Sequence, residues 1–161
     1  MTKESIQYYT RRLTSSNPTE IIVLVYEMAE IYMDDAIMAN KEDNYDEYAK
    51  SLNKASKCVN DLINALNMKY EISEQLLNIY LFINKEISMA IVKRDVKTVT
   101  RLQAMLTKLK KSFEELAKQD KSGAVMGNAE EVYAGLTYGN NSGIGTLTES
   151  TIVQSNRGYT V

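Results

Sequence analysis

Between Ile21 and Leu116 apolar residues recur at spacings of three and four, interrupted by short polar turns, the pattern of amphipathic helices. Ile21, Leu24, Val25, Met28, Ile31, Tyr32 and Ala36 trace one stripe that ends near Asn40. Asn40-Lys41-Glu42-Asp43-Asn44 is a polar turn, and Asn44 with Glu47 has capping-box spacing. Tyr45, Tyr48, Leu52, Ala55, Val59, Leu62 and Leu66 predict a second helix, whose pattern fades at Asn67-Met68. Ser73 is the expected N-cap of a third, which carries Leu76, Leu77, Tyr80, Ile83, Ile87, Ala90 and Ile91. This helix is apolar over more than one stripe, so it is expected to be central or flanked by a partner. Arg94-Asp95 marks a tight turn with Asp95 as N-cap. A fourth helix then bears Val99, Leu102, Leu106, Leu109, Phe113 and Leu116 and closes on Lys118-Gln119-Asp120-Lys121, where basic residues suit the helix dipole.

The series has a sharp beginning. Pro18, the only proline, follows Asn17 and precedes Glu20. Proline fits the first helical turn, Asn17 can cap it, and Glu20 completes a capping box. All seven glycines lie at or after Gly123, so no Gly or Pro falls between Thr19 and Ser122. A β-rich fold would need turn glycines there. The expected fold class is all-α: an antiparallel up-down four-helix bundle at 18–121, a short N-terminal arm at 1–17, and a Gly/Asn/Ser-rich tail at 122–161. Helices of about 22–26 residues would each be ~35 Å long. Short connections make sequence neighbours antiparallel. The arm, with Ile6, Tyr8, Tyr9 and Leu13, is expected to form a short docking helix. In the tail, Ala129–Leu136 is expected to make two helical turns, and the stretch beyond Gly139 to be disordered or a peripheral strand.

Composition narrows the chemistry. At 161 residues, 44% hydrophobic and 25% charged, the chain suffices for one packed domain with an extension. A net charge of -2 and a pI near 5.3 argue against nucleic acid. Arg11-Arg12 and Lys108-Leu109-Lys110-Lys111 read as solvated helix faces. Cys58 is the single cysteine, so no internal disulfide forms. With no secretory h-region and no apolar run of ~20 residues, a cytoplasmic protein that does not enter membranes is expected. Histidine is absent. That removes the commonest general base and metal ligand, argues with the single cysteine against structural zinc, and makes Glu-x-x-His di-iron sites unbuildable. Asp34-Asp35, Glu114-Glu115 and Glu130-Glu131 read as surface charge. There is no phosphate-binding glycine loop in the helical region, and Ser and Thr have no base partner. Cys58 reads as an inert, buried thiol. No catalytic, cofactor or metal site is expected.

What remains is a surface for another chain. Eight methionines and eleven tyrosines suit adaptable contacts. Tyr26 and Tyr80 sit at core spacing, whereas Tyr8 and Tyr9 lie outside the expected bundle.

The ordered set of these residues resembles the FliS family of flagellin export chaperones. Tyr8, then Asn17-Pro18-Thr19-Glu20-Ile21 and Val25-Tyr26, is similar to that family's N-terminal signature, where Ser- or Thr-Pro-Gly-Glu-Leu and Leu-Tyr are usual. Ser51-Leu52-Asn53-Lys54-Ala55 through Asp61-Leu62 to Leu66-Asn67 resembles its second helix. Leu77-Asn78-Ile79-Tyr80 with Ala90 and Asp95 resembles the third helix and its turn. Ile91 stands where Asn is frequent and Phe113 where Trp is usual. The likeness runs from about Tyr8 to Ala117. It implies a bundle that binds the disordered C-terminal segment of flagellin, with no enzymatic activity. It also implies an arm held in the binding site when no client is present, with Tyr8 as the residue in that role. The groove residues it implies are Tyr26, Leu52, Ala55, Val59, Leu66, Tyr80, Ile87 and Ala90. Other flagellar export or regulatory proteins are further expected partners, and the expected state is a monomer or weak homodimer. The alternative is a structural helical bundle acting as a homo-oligomeric or adaptor module.

Overall fold

The structure, a computed structural model, describes residues 3–126. The expectations for Ala129–Leu136 and for the stretch beyond Gly139 lie outside the described residues. Among those described there are five α-helices and no strand: α1 (Lys3–Ser15), α2 (Pro18–Lys41), α3 (Tyr45–Asn64), α4 (Glu71–Lys93) and α5 (Val96–Gln119).

Local signals set most of the helix starts. At α2 the Asn17 side chain accepts from the Glu20 N–H at 2.8 Å, and the Asn17 N–H donates to the Glu20 carboxylate at 2.9 Å. Two of the N–H groups that lack intrahelical partners are thereby satisfied. Asn44 caps α3 through the Glu47 N–H at 3.1 Å, and Asp95 caps α5 through the Thr98 N–H at 3.2 Å. α4 departs from expectation. It starts at Glu71 after Tyr70, with no side-chain cap. Ser73 lies inside the first turn, 4% exposed, and its hydroxyl donates to the Asn67 carbonyl at 2.7 Å. Asn67 also accepts from the Lys69 N–H at 3.1 Å. Ser73 thus braces the preceding turn instead of capping the helix, because a carbonyl of that turn lies within its reach.

Two turns place non-glycine residues at positive φ, Asp43 at 53° and Arg94 at 52°. Such a conformation costs about 1–2 kcal/mol. The Arg94 guanidinium stacks over the Tyr45 ring, 4.1 Å from its centroid, a cation–π contact that offsets part of this.

α2 packs against α3 and α5, and α4 packs against the same two helices. α2 and α4 therefore face each other across the core. There Tyr26 of α2 and Tyr80 of α4, each at most 1% exposed, share a hydroxyl–hydroxyl hydrogen bond. Each satisfies a polar group that would be costly to bury alone. Around them lie Met33, Leu52, Val59, Ile83, Ile87, Leu102 and Leu106, all fully buried. The start of α3 is tied to the end of α4 by tyrosine hydroxyls. Tyr48 donates to the Ala90 carbonyl at 2.9 Å and Tyr45 to the Ile91 carbonyl at 3.1 Å. The Ala90 carbonyl also accepts from the Arg94 and Asp95 N–H groups, so the Tyr48 hydroxyl adds a further contact where α4 ends.

The stripe on α2 also needs correction. Its most buried residues are Val23, Leu24, Tyr26, Ala29, Met33, Ala36 and Ala39, whereas Val25, Met28 and Tyr32 are only partly buried. The helix is apolar around much of its girth. It turns Tyr26, Ala29, Met33 and Ala36 to the core and offers Val25, Met28 and Tyr32 to α1.

Candidate functional site

Two apolar clefts and one apolar helix face are open to another chain. The first cleft, about 480 Å³, lies where the end of α3, the start of α4 and the end of α5 meet. Leu62 and Leu66, Ile72 and Leu76, and Phe113 and Leu116 form its walls, and Tyr80 is its innermost polar side chain. Its rim is exposed: Tyr70 is 65% accessible and Leu116 52%. The Tyr26 and Phe113 rings lie 5.5 Å apart, so the Tyr26–Tyr80 pair adjoins the cleft wall. The site offers apolar area and little charge, which suits aliphatic or aromatic side chains of a partner.

The second cleft, about 320 Å³, runs between α1 and α2, with Ile6, Tyr9 and Leu13 on one side and Val25, Met28 and Tyr32 on the other. α1 contacts the rest of the protein mainly through α2. The contact includes an ion pair between Arg12 and Glu27 at 2.7 Å. The Tyr9 hydroxyl, hydrogen-bonded to Glu27, is held above its ordinary pKa by burial and then by that carboxylate. The third feature is the outward side of α4, where Leu81, Phe82, Met89 and Val92 are exposed.

The residues implied by the sequence resemblance distribute unevenly over these features. Tyr26, Leu52, Ala55, Val59, Tyr80, Ile87 and Ala90 are core residues, none more than 1% exposed. Leu66 is partly buried and lines the first cleft, where Tyr80 also contributes. Tyr8 is 55% exposed and lines neither cleft. Its ring meets Tyr9 edge-on at 5.3 Å, and the Arg12 guanidinium sits 5.5 Å from its centroid. Sequence reasoning passed over Tyr70, Ile72 and Leu116 on the rim of the first cleft. The signal was present: Met68, Tyr70 and Ile72 are apolar residues clustered at a turn, where burial within a helix cannot explain them.

Reactive chemistry is not assembled at these surfaces. Burial pushes the Cys58 thiol up to about 11, with Asp61 adding to the shift, so it stays protonated near neutrality. Among the described residues no cluster of three or more Cys, Asp and Glu could hold a metal ion, and no helix is long and apolar enough to cross a membrane.

A family model described as flagellar protein FliS matches residues 1–120. No curated protein matches the chain.

Proposed function

The chain belongs to the FliS family of flagellar export chaperones, and from that premise we propose that it binds the disordered C-terminal segment of flagellin in the cytoplasm. On this reading it withholds that segment from premature polymerisation until export. Residues 18–121 act as an antiparallel up-down four-helix body, 1–17 as an arm and 122–161 as a tail. The observation that carries the reading is the first cleft, an apolar depression with an exposed apolar rim. Ordering a disordered segment takes about 2–5 kcal/mol from the interaction. At about 25 cal/mol per Å² this equals roughly 80–200 Å² of apolar burial. Association itself takes about 4–15 kcal/mol more, so binding calls for an extended path and not the cleft alone.

In this reading Leu66 and Tyr80 belong to the contact surface. Tyr26, Leu52, Ala55, Val59, Ile87 and Ala90 form the wall behind it. α1, with Tyr8 on its outer side, occupies the apolar side of α2 when no client is bound. Calorimetry of the full chain with a peptide of flagellin's C-terminal segment tests this. Micromolar or tighter binding, weakened at least about tenfold by Leu66→Glu (~1.4 kcal/mol per decade), supports it. No detectable binding at tens of micromolar, on the order of 6–7 kcal/mol, overturns it.

The exposed Leu81, Phe82, Met89 and Val92 of α4 favour a second reading, a module that pairs with a second copy or an adaptor through that face. Light scattering that gives a dimer in wild type and a monomer in Phe82→Asp would support it.

A further inference from the structure

The passage from α1 to α2 is only two residues long, Ser16 and Asn17, and both are buried, at 6% and 8% exposure. A polar linker between an arm and a body would ordinarily be solvated. Here it is held by the segment that follows α5. The Ser16 carbonyl accepts from the Val125 N–H at 3.1 Å. The Asn17 side-chain amide donates to the Asp120 carbonyl at 3.4 Å, and the Thr19 hydroxyl donates to the Asp120 carboxylate at 2.6 Å. That carboxylate also accepts from the Ser122 N–H at 3.0 Å and the Ser122 hydroxyl at 2.5 Å, which fixes the turn leading to Val125. On the arm side, the Ser16 hydroxyl donates to the Arg12 carbonyl at 2.7 Å and closes the last turn of α1.

We propose that residues 120–125 are a clasp on this linker, one that sets the direction in which α1 leaves α2 and so keeps α1 lying over Val25, Met28 and Tyr32. The energetic logic is that of a short helix. α1 has 13 residues, a length at which isolated helices are marginal in water. Its order depends on docking, and docking depends on the exit angle of a two-residue linker. The Arg12–Glu27 pair and the Tyr9, Ile6 and Leu13 contacts hold the face of α1 that lies on α2. The clasp holds its root. Any event that draws the segment after α5 away from Ser16 therefore loosens α1, and α1 and that segment act as one device.

The clasp stands on contacts alone, while its effect on a client rests on the chaperone reading above. Hydrogen exchange of the full-length protein separates the two. Val125→Pro removes the single N–H that reaches Ser16, and Thr19→Val removes the hydroxyl that reaches Asp120. In each variant α1 amides are expected to exchange at least roughly threefold faster, with the core of α2–α5 unchanged, as for a local opening. Unchanged exchange in α1 in both variants overturns the proposal. Equal acceleration throughout α2–α5 overturns it too, because the contacts would then merely stabilise the body. Where α1 loosens and flagellin peptide affinity stays constant, the clasp stands and the arm's competition with the client falls.

Discussion

Two tyrosine pairs show how differently the body and the arm are held. Tyr26 and Tyr80 come from helices facing each other across the core, are fully buried and satisfy each other's hydroxyls. Tyr8 and Tyr9 are neighbours on one short helix, meet edge-on, and Tyr8 is more than half exposed. The first pair is enclosed by side chains of four helices, so its order is inseparable from global folding. The second belongs to a helix held mainly on α2, through one side of a cleft and an ion pair. Such an element opens locally at a free energy far below that of the whole fold.

The largest expected effect breaks the body side of the comparison. Leu52→Ala, at a fully buried position, should cost about 2–5 kcal/mol and lower the melting midpoint by roughly 10 °C or more. Leu13→Ala on the arm, where the residue is 37% exposed, should leave that midpoint nearly unchanged. Thermal melts followed by circular dichroism make the comparison directly. Equal losses would show that α1 is part of the body.

Tyr26→Phe is the next largest. It leaves the Tyr80 hydroxyl buried without its partner, at about 1–3 kcal/mol. The double variant with Tyr80→Phe should cost less than the sum of the singles, since each hydroxyl is buried on account of the other. Additivity in a urea-denaturation cycle would mean that the pair does not act as a unit.

Alkali probes the same core. Burial raises the pKa of Tyr26, Tyr48 and Tyr80, and of Cys58 to about 11. Groups that titrate higher when folded bind more protons than their unfolded counterparts. The stability they contribute is complete below the ordinary values, 9.0 for the thiol and 10.0 for tyrosine, and declines as pH rises past them. Urea midpoints should be flat near neutrality and fall above about pH 9. Native Cys58 should react with a thiol reagent only slowly until the chain unfolds.

The smallest effect sharpens the arm side. Glu27→Gln removes the charge that pairs with Arg12, a partly exposed contact with side chains 36% and 21% accessible. It should cost about 0.2–1 kcal/mol, felt in α1 and not in the melting of the body. Faster exchange of α1 amides alone is the expected readout; a shift in the global midpoint would place Glu27 in the body's own network.

Asn17, Asn44 and Asp95 were legible as caps because a cap is settled within four residues. Ser73 misled because its hydroxyl had a second acceptor, the Asn67 carbonyl, which only the folded turn brings near. The double stripe on α4 was legible as a need for cover on more than one side, and the outward Leu81, Phe82, Met89 and Val92 are its second side. On α2 the stripe was drawn through Val25, Met28 and Tyr32, whereas the core took Tyr26, Ala29 and Met33. A helix apolar around most of its girth has no unique inward face until its neighbours are placed.

By itself, then, the sequence determined where α2, α3 and α5 begin, that these segments are helices, that histidine-based catalysis is out of reach, and which family the residues resemble. These follow from local backbone chemistry, from periodicity and from which residue types are present. Only the tertiary structure decided which face of α2 turned inward, which apolar residues were left to line a cleft, and that the linker at Ser16 and Asn17 is held by Asp120 and Val125. Those outcomes join residues about a hundred positions apart. No local rule connects them, because their meeting depends on the packing of every helix in between.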